Sequence, residues 1–208
     1  MKLVFAGLGR TGTTSLVKAM EILGLSVLAQ EKLFRNRKVH RKVNDSLRGK
    51  ADLDPALFSG IDVTIGWPLC FLFKEQLDRF PDSHCILNVR EPERWFDSVE
   101  KTWDQIRILR KARYVPGIRE INSTLEFVQE RFGGAPEKTR WIEAYNNHIA
   151  LVKKTVPSDR LTVYQIHEGW DPLCEVLGIA VPEEAFPVKN TGKSGELGEK
   201  LKNLFGIG

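Results

Sequence analysis

Cysteine is scarce: the 208 residues contain three, Cys70, Cys85 and Cys174. They are odd in number, widely spaced and set in apolar runs, which argues for reduced core thiols rather than a disulfide framework or a metal site. An excess of one charge is also lacking. Against 31 Lys and Arg stand 27 Asp and Glu, a net of +4, which mildly favours an anionic ligand and falls far short of a nucleic-acid footprint. No apolar run approaches the roughly 18 residues of a membrane-spanning helix, and no signal peptide precedes the first strand. The expectation is a cytoplasmic protein with neither membrane nor nucleic-acid partners. No internal repeat and no composition break interrupts the chain, so residues 1–208 are expected to form a single domain.

What is present is an alternation of short apolar runs with helical periodicity. Residues 2–8, 25–30, 62–66, 84–90 and 160–166 read as strands. Helices are predicted over 13–24, from Pro68 to 80, over 91–112, 118–132 and 137–154, and over 171–178. Residues 32–50 are strongly basic with weak periodicity. They read as a solvated helix or loop, with a lid over an acidic substrate as the sharper alternative. Strands alternating with helices imply an α/β fold with a parallel sheet of about five strands covered on both faces.

The chemistry concentrates in "FAGLGRTGTTS", residues 5–15. A strand, a glycine turn and a helix start converge unpaired N–H groups and the positive end of the helix dipole on one point. Arg10 and the hydroxyls of Thr11, Thr13, Thr14 and Ser15 add a cation and further donors, more than a plain structural turn would use. Gly7, Gly9 and Gly12 match the dinucleotide pattern G-x-G-x-x-G, and Glu31 falls near where an acidic ribose ligand is needed. That turn keeps small uncharged residues, whereas this one is cationic and rich in hydroxyls. Gly7 and Gly12 also fit the triphosphate loop, but Thr13 stands in place of its lysine. No apolar strand ends in an Asp for Mg²⁺; the clearest one ends in Arg90. A loop with arginine, hydroxyls and no evident metal partner suits a transferred group of little charge. A sulfuryl group carries one negative charge where a phosphoryl carries two.

On these residues the chain resembles sulfotransferases that use 3′-phosphoadenosine 5′-phosphosulfate (PAPS), most nearly the small bacterial and fungal type. "GRTGTTS" at 9–15 is similar to the family's 5′-phosphosulfate loop, "ILNVREPERWFDS" at 86–98 to its 3′-phosphate site, and residues 161–187 to its C-terminal strand and helix. The resemblance implies a three-layer, P-loop nucleotide-kinase-like domain, with PAPS held by Gly9, Arg10, Thr11, Gly12, Thr13, Thr14 and Ser15 on one side and by Arg90 and Ser98 on the other. Under the strand assignment both sets lie at the C-terminal edge of the sheet, where open α/β sheets bind ligands. The plain alternative for Arg90 is a surface salt bridge with Glu91 or Glu93. Arg10 is the expected catalytic residue, stabilising charge on the departing oxygen. Lys193, in "KNTGKSGE", is similar to the family's closing loop over the 3′-phosphate. No metal ligand is expected, and the partner is a small acceptor with a hydroxyl or amine, entering between segment 32–50 and the 104–140 helices.

One position departs from the family. A histidine or aspartate usually follows the third strand two residues before a proline; in "TIGWP" that position is Gly66. Asp45, Asp54, Asp62 and His40 are substitutes to weigh, each also readable as an ordinary structural group. His84, His148 and His167 read as packing residues, as does the helix face Trp141, Tyr145, His148 and Val152. Two further functions stay open at this point: an NAD(P)-binding oxidoreductase on the same turn, and a nucleotide-binding protein that has lost catalysis.

Overall fold

Five short strands form an all-parallel sheet in the computed structural model, which describes residues 1–109 and 118–188. They are β1 (Leu3–Phe5), β2 (Val27–Ala29), β3 (Val63–Ile65), β4 (His84–Val89) and β5 (Leu161–Gln165), ordered β2-β3-β1-β4-β5. The helices are α1 (Thr13–Ile22), α2 (Gln30–Arg35), α3 (Arg37–Leu47), α4 (Phe73–Arg79), α5 (Pro92–Leu109), α6 (Ile118–Arg131), α7 (Lys138–Thr155) and α8 (Asp171–Leu177).

Strand alternation sorts the core into layers. Leu3, Phe5, Val63, Ile65 and Ile86 pack with Leu16, Ala19 and Met20 of α1 and Leu173 and Cys174 of α8. On the other face, Val4, Ala6, Cys85 and Leu87 meet Phe73 and Leu77 of α4, Val152 of α7 and Val156 just after it. With both faces covered, every residue of β1, β2 and β3 is buried, which is why these runs, Thr64 excepted, are apolar without alternation. The fold is the three-layer α/β, P-loop-like arrangement. All three cysteines are free and buried.

A third cluster, rich in aromatics, lies over α5, α6 and α7. Trp95, Phe132, Trp141 and Tyr145 are all within 2% exposure, and Trp67, Phe34 and Leu8 join them. Truncating such a buried ring costs about 3–5 kcal/mol, so this cluster fixes how the helices sit over the end of the sheet.

Segment 32–50 holds the larger part of α2 and all of α3, so it is helical as one reading had it, but with a buried stripe rather than solvated all round. Leu33, Phe34, His40, Val43 and Asn44 are buried, a stripe too narrow to lift the periodicity above its many charges. The helix expected to open at Pro68 begins as a tighter 3-10 turn, Leu69–Leu72, in which Leu69, Cys70 and Leu72 are buried, before α4 starts at Phe73. The tail is described as far as Val188, and there Phe186 meets Trp170 edge-on at 5.0 Å.

Topology marks where a ligand belongs. From β1 the chain runs outward to β2, past β3, while from β4 it runs to β5 on the other side. Adjacent connections diverge between β1 and β4, and the crevice beyond the carboxyl ends of such strands is the ligand site of open α/β sheets.

Candidate functional site

The turn after β1 is organised by Asn88, a buried polar residue on β4. Its Oδ1 accepts from the Gly7 N–H at 3.1 Å, and its amide donates to Thr11 Oγ1. The Thr11 hydroxyl in turn donates to Leu8 O at 2.6 Å, so it is used inside the turn. A Cβ on Gly7 would stand 2.1 Å from Asn88 O; only glycine lets the two backbones approach this closely. From α5, the Trp95 indole N–H donates to Gly9 O at 3.0 Å.

α1 then begins at Gly12, at φ 92, with no side-chain cap and no acidic residue in its first turn. Gly12 O accepts from Leu16 N at 3.1 Å, so the helix is properly formed while no side chain caps its start. Such an end favours an anion. Thr13 and Thr14 are half-buried beside it, and Ser15 is buried.

Arg10, Arg90 and Ser98 come together at the crevice. Arg10 Nε donates to Ser98 Oγ at 3.1 Å, and Arg90 Nη1 donates to Arg10 O at 3.3 Å. Arg10 sits at φ 76, a left-handed conformation that costs a non-glycine residue about 1–2 kcal/mol. It is held there by the Trp95 and Arg90 contacts to the two peptide units that flank it. Burial, and then the charge of Arg90, lower the Arg10 pKa, as expected for two cations facing one space. The carboxylates beside Arg90 are engaged elsewhere. Glu91 caps α5 by accepting from the N–H groups of Glu93 and Arg94 at 2.9 and 2.8 Å, and Glu93 pairs with Lys138 at 3.3 Å. Among the described residues, neither arginine has a carboxylate ion pair. Lys193 and its loop lie outside the described residues.

The face of α7 that reads as core is buried, but two of its residues reach the crevice with polar tips. The Tyr145 hydroxyl accepts from Arg90 N at 2.9 Å and donates to Arg90 O at 2.8 Å. Burial raises its pKa, which keeps it neutral and able to do both. His148 Nε2–H donates to Ala6 O at 2.7 Å, and burial lowers its pKa. Asn88, Trp95, Tyr145 and His148 are therefore site residues that the sequence pattern did not single out. The signals were faint: a polar residue inside the clearest strand, and polar atoms at the ends of rings on an apolar face.

Gly66, at φ 84, follows β3 at the same edge of the sheet. A Cβ there would meet only Thr13 Cγ2, at 3.8 Å, so the position opens beside the first turn of α1. The substitutes for a base are committed elsewhere or set apart. His40 is buried with its Nε2 2.8 Å from Thr124 Oγ1. That hydroxyl donates to Asn44 Oδ1 at 2.8 Å, so His40 Nε2 is the donor; burial drives its pKa down to about 4 despite Glu120. Asp54 accepts from Ala56 N and from Lys42. Asp62 accepts from Ser26 N and precedes β3, at the edge opposite the turn. Asp45 lies in the last turn of α3. His84 starts β4, also at the far edge, and its Nε2 meets Thr162 at 2.9 Å. His167 is exposed just after β5.

The expected acceptor entry between segment 32–50 and the following helices is closed along α3 and α6. His40 and Asn44 bond across to Thr124 and Glu120, and Arg37 pairs with Glu120 at 3.5 Å. Buried polar partners of this kind lock two helices together because neither can be left unpaired.

Among the described residues no group of three or more His, Cys, Asp or Glu is placed to hold a metal ion, and no helix is long and apolar enough to cross a membrane. The strand order speaks against a dinucleotide turn. There the acidic residue closes a strand adjacent to β1, whereas here β3 lies between β1 and β2, so Glu31 stands a further strand spacing away.

A family model described as "Sulfotransferase domain" matches residues 2–195. The Ava biosynthesis cluster protein M of Aspergillus versicolor is similar, with 28% identity over 208 residues, covering 90% of this chain and 80% of that protein. The family model spans nearly the whole α/β unit described above, and the chain belongs to the sulfotransferase domain family.

Proposed function

We propose that this protein transfers a sulfuryl group from PAPS to a hydroxyl or amine of a small acceptor. The observation that carries the reading is the convergence of Arg10, Arg90, Ser98 and the uncapped start of α1 on one crevice, with no carboxylate pairing either arginine among the described residues. Cations left unpaired at a topological switch point fit a ligand with two separated anionic groups.

In this reading the N–H groups of turn 9–15 and the start of α1 hold the 5′-phosphosulfate. Arg90 and Ser98 hold the 3′-phosphate. PAPS supplies the sulfuryl group, which leaves by cleavage of its bond to the 5′-phosphate oxygen. Arg10 uses one N–H on Ser98 and keeps its terminal nitrogens to face charge that grows as this bond breaks. A preorganised donor aimed at developing charge is the usual source of such stabilisation. The acceptor's proton has no carboxylate or imidazole to receive it at position 66.

The test is affinity for two nucleotides. A hydrogen bond to a charged group is worth about 1.5–3 kcal/mol, so adenosine 3′,5′-bisphosphate should bind at least about tenfold tighter than adenosine 5′-monophosphate. Arg90→Ala should erase most of that difference and leave the monophosphate nearly unchanged, as read by calorimetry. Equal binding of both nucleotides by the wild type, or equal weakening of both by the variant, would refute the reading.

A further inference from the structure

Arg90 stands just beyond the sheet. The ladder of β4 with β5 ends at Val89 opposite Gln165, and that of β4 with β1 ends at Ile86 opposite Phe5. A residue past the last rung has no strand neighbour for its N–H and C=O, and its side chain inherits that looseness. Here a single phenol replaces the missing neighbour. Tyr145 takes the Arg90 N–H and gives its own proton to the Arg90 carbonyl, at 2.9 and 2.8 Å. Its ring is 1% exposed and stacks on Trp95 at 4.3 Å and 23°. Trp95 is fully buried and holds Gly9 O. One stacked pair thus fixes both banks of the crevice, the end of β4 through Tyr145 and the glycine turn through Trp95.

We infer that Tyr145 is a positioning residue for the second phosphate: it acts through the backbone of Arg90 and sets how well the guanidinium meets a 3′-phosphate. This rests on the reading of Arg90 given above. It differs from a packing role in one respect. Packing needs the ring, which phenylalanine also has, whereas positioning needs the hydroxyl, whose partner among the described residues is Arg90. A packing loss would also fall on every ligand of the crevice, whereas a loose Arg90 would fall chiefly on the 3′-phosphate, because the glycine turn keeps its other holds from Asn88, Trp95 and His148.

The experiment is calorimetry of adenosine 3′,5′-bisphosphate and adenosine 5′-monophosphate with wild type, Tyr145→Phe, Arg90→Ala and the double variant. A displacement of about 1 Å at a positioned group can cost on the order of 100-fold. Tyr145→Phe should therefore weaken the bisphosphate by about tenfold, leave the monophosphate within about twofold, and add nothing once Arg90 is alanine. Equal weakening of both nucleotides, or a loss that persists in the Arg90→Ala background, overturns the inference and leaves Tyr145 a packing residue. The cycle reads coupling to Arg90 even if Tyr145→Phe lowers the melting midpoint. A wild type that prefers the bisphosphate together with a Tyr145→Phe variant that keeps the full preference sinks this inference alone. A wild type with no preference sinks the reading beneath it as well.

Discussion

Replacing Gly66 by aspartate puts a carboxylate where the family usually has a proton acceptor, and the structure fixes both the cost and the gain. The backbone there is at φ 84, a region in which aspartate is among the better tolerated side chains. The strain is about 1–2 kcal/mol, and for a chain of this length each kcal/mol lowers the melting midpoint by about 2–4 °C. The side chain itself meets little, since the nearest atom to a Cβ is Thr13 Cγ2 at 3.8 Å, an ordinary contact. The variant should fold with a midpoint lower by a few degrees. A positioned general base typically contributes about 100- to 10,000-fold. Without one, acceptors must lose their proton readily, so the wild type should favour phenols over aliphatic alcohols. Gly66→Asp should raise turnover of aliphatic alcohols most and phenols least. Gly66→Asn shares the backbone tolerance and the shape but cannot take a proton, and so separates chemistry from geometry. Initial rates with labelled PAPS and paired acceptors make the comparison. Wild-type turnover of aliphatic alcohols as fast as of phenols would mean that another group supplies the base. Equal gains for Asn and Asp would mean that bulk, not basicity, was missing.

Two further outcomes are expected. Arg10→Ala should lower turnover by about 100- to 1000-fold, the cost of one preorganised donor, while weakening nucleotide binding much less. An equal loss in both would make Arg10 a binding residue. His40 is held near 4 in the folded protein and titrates near 6.5 when unfolded, so between those values the unfolded chain binds the extra proton. The contribution of His40 to stability should therefore fall by about 3 kcal/mol as pH drops from 7 through that window, and level off below it. Urea unfolding from pH 7 to 4.5 should show this loss in the wild type and a smaller one in His40→Asn; equal losses would count against the assignment.

The parts of the fold legible in the sequence are those whose signal is local. β4 reads cleanly from "HCILNV" because a strand covered on both faces is mostly apolar, and α1 reads from its glycine turn and from Leu16, Ala19, Met20 and Leu23. Arg90 and Ser98 were legible through their spacing, and they do meet Arg10. The illegible parts depend on partners distant in the chain. Asn88 acts on Gly7 and Thr11, 81 and 77 residues earlier, and nothing near it in sequence announces that. Tyr145 and His148 lie on an apolar helix face, where a ring buried for packing and one buried to deliver a polar tip leave the same periodicity. The α3–α6 contact was hidden differently: His40, Asn44 and Thr124 satisfy one another, so a stripe that looks polar is in fact interior.

The turn after β1 is gripped largely from outside, and mostly by its backbone. Asn88 takes the amide of Gly7, Trp95 the carbonyl of Gly9, Arg90 the carbonyl of Arg10, and His148 the carbonyl of Ala6. Backbone groups are the same whatever side chain a residue carries. Shape is therefore stored in the scaffold, while Arg10, Thr13 and Thr14 are largely released from maintaining it. Substitutions at those positions can alter the chemistry without first dismantling the cradle. In evolutionary terms the crevice separates what must be inherited intact from what is free to drift, and a descendant could exchange its reagent while keeping its architecture.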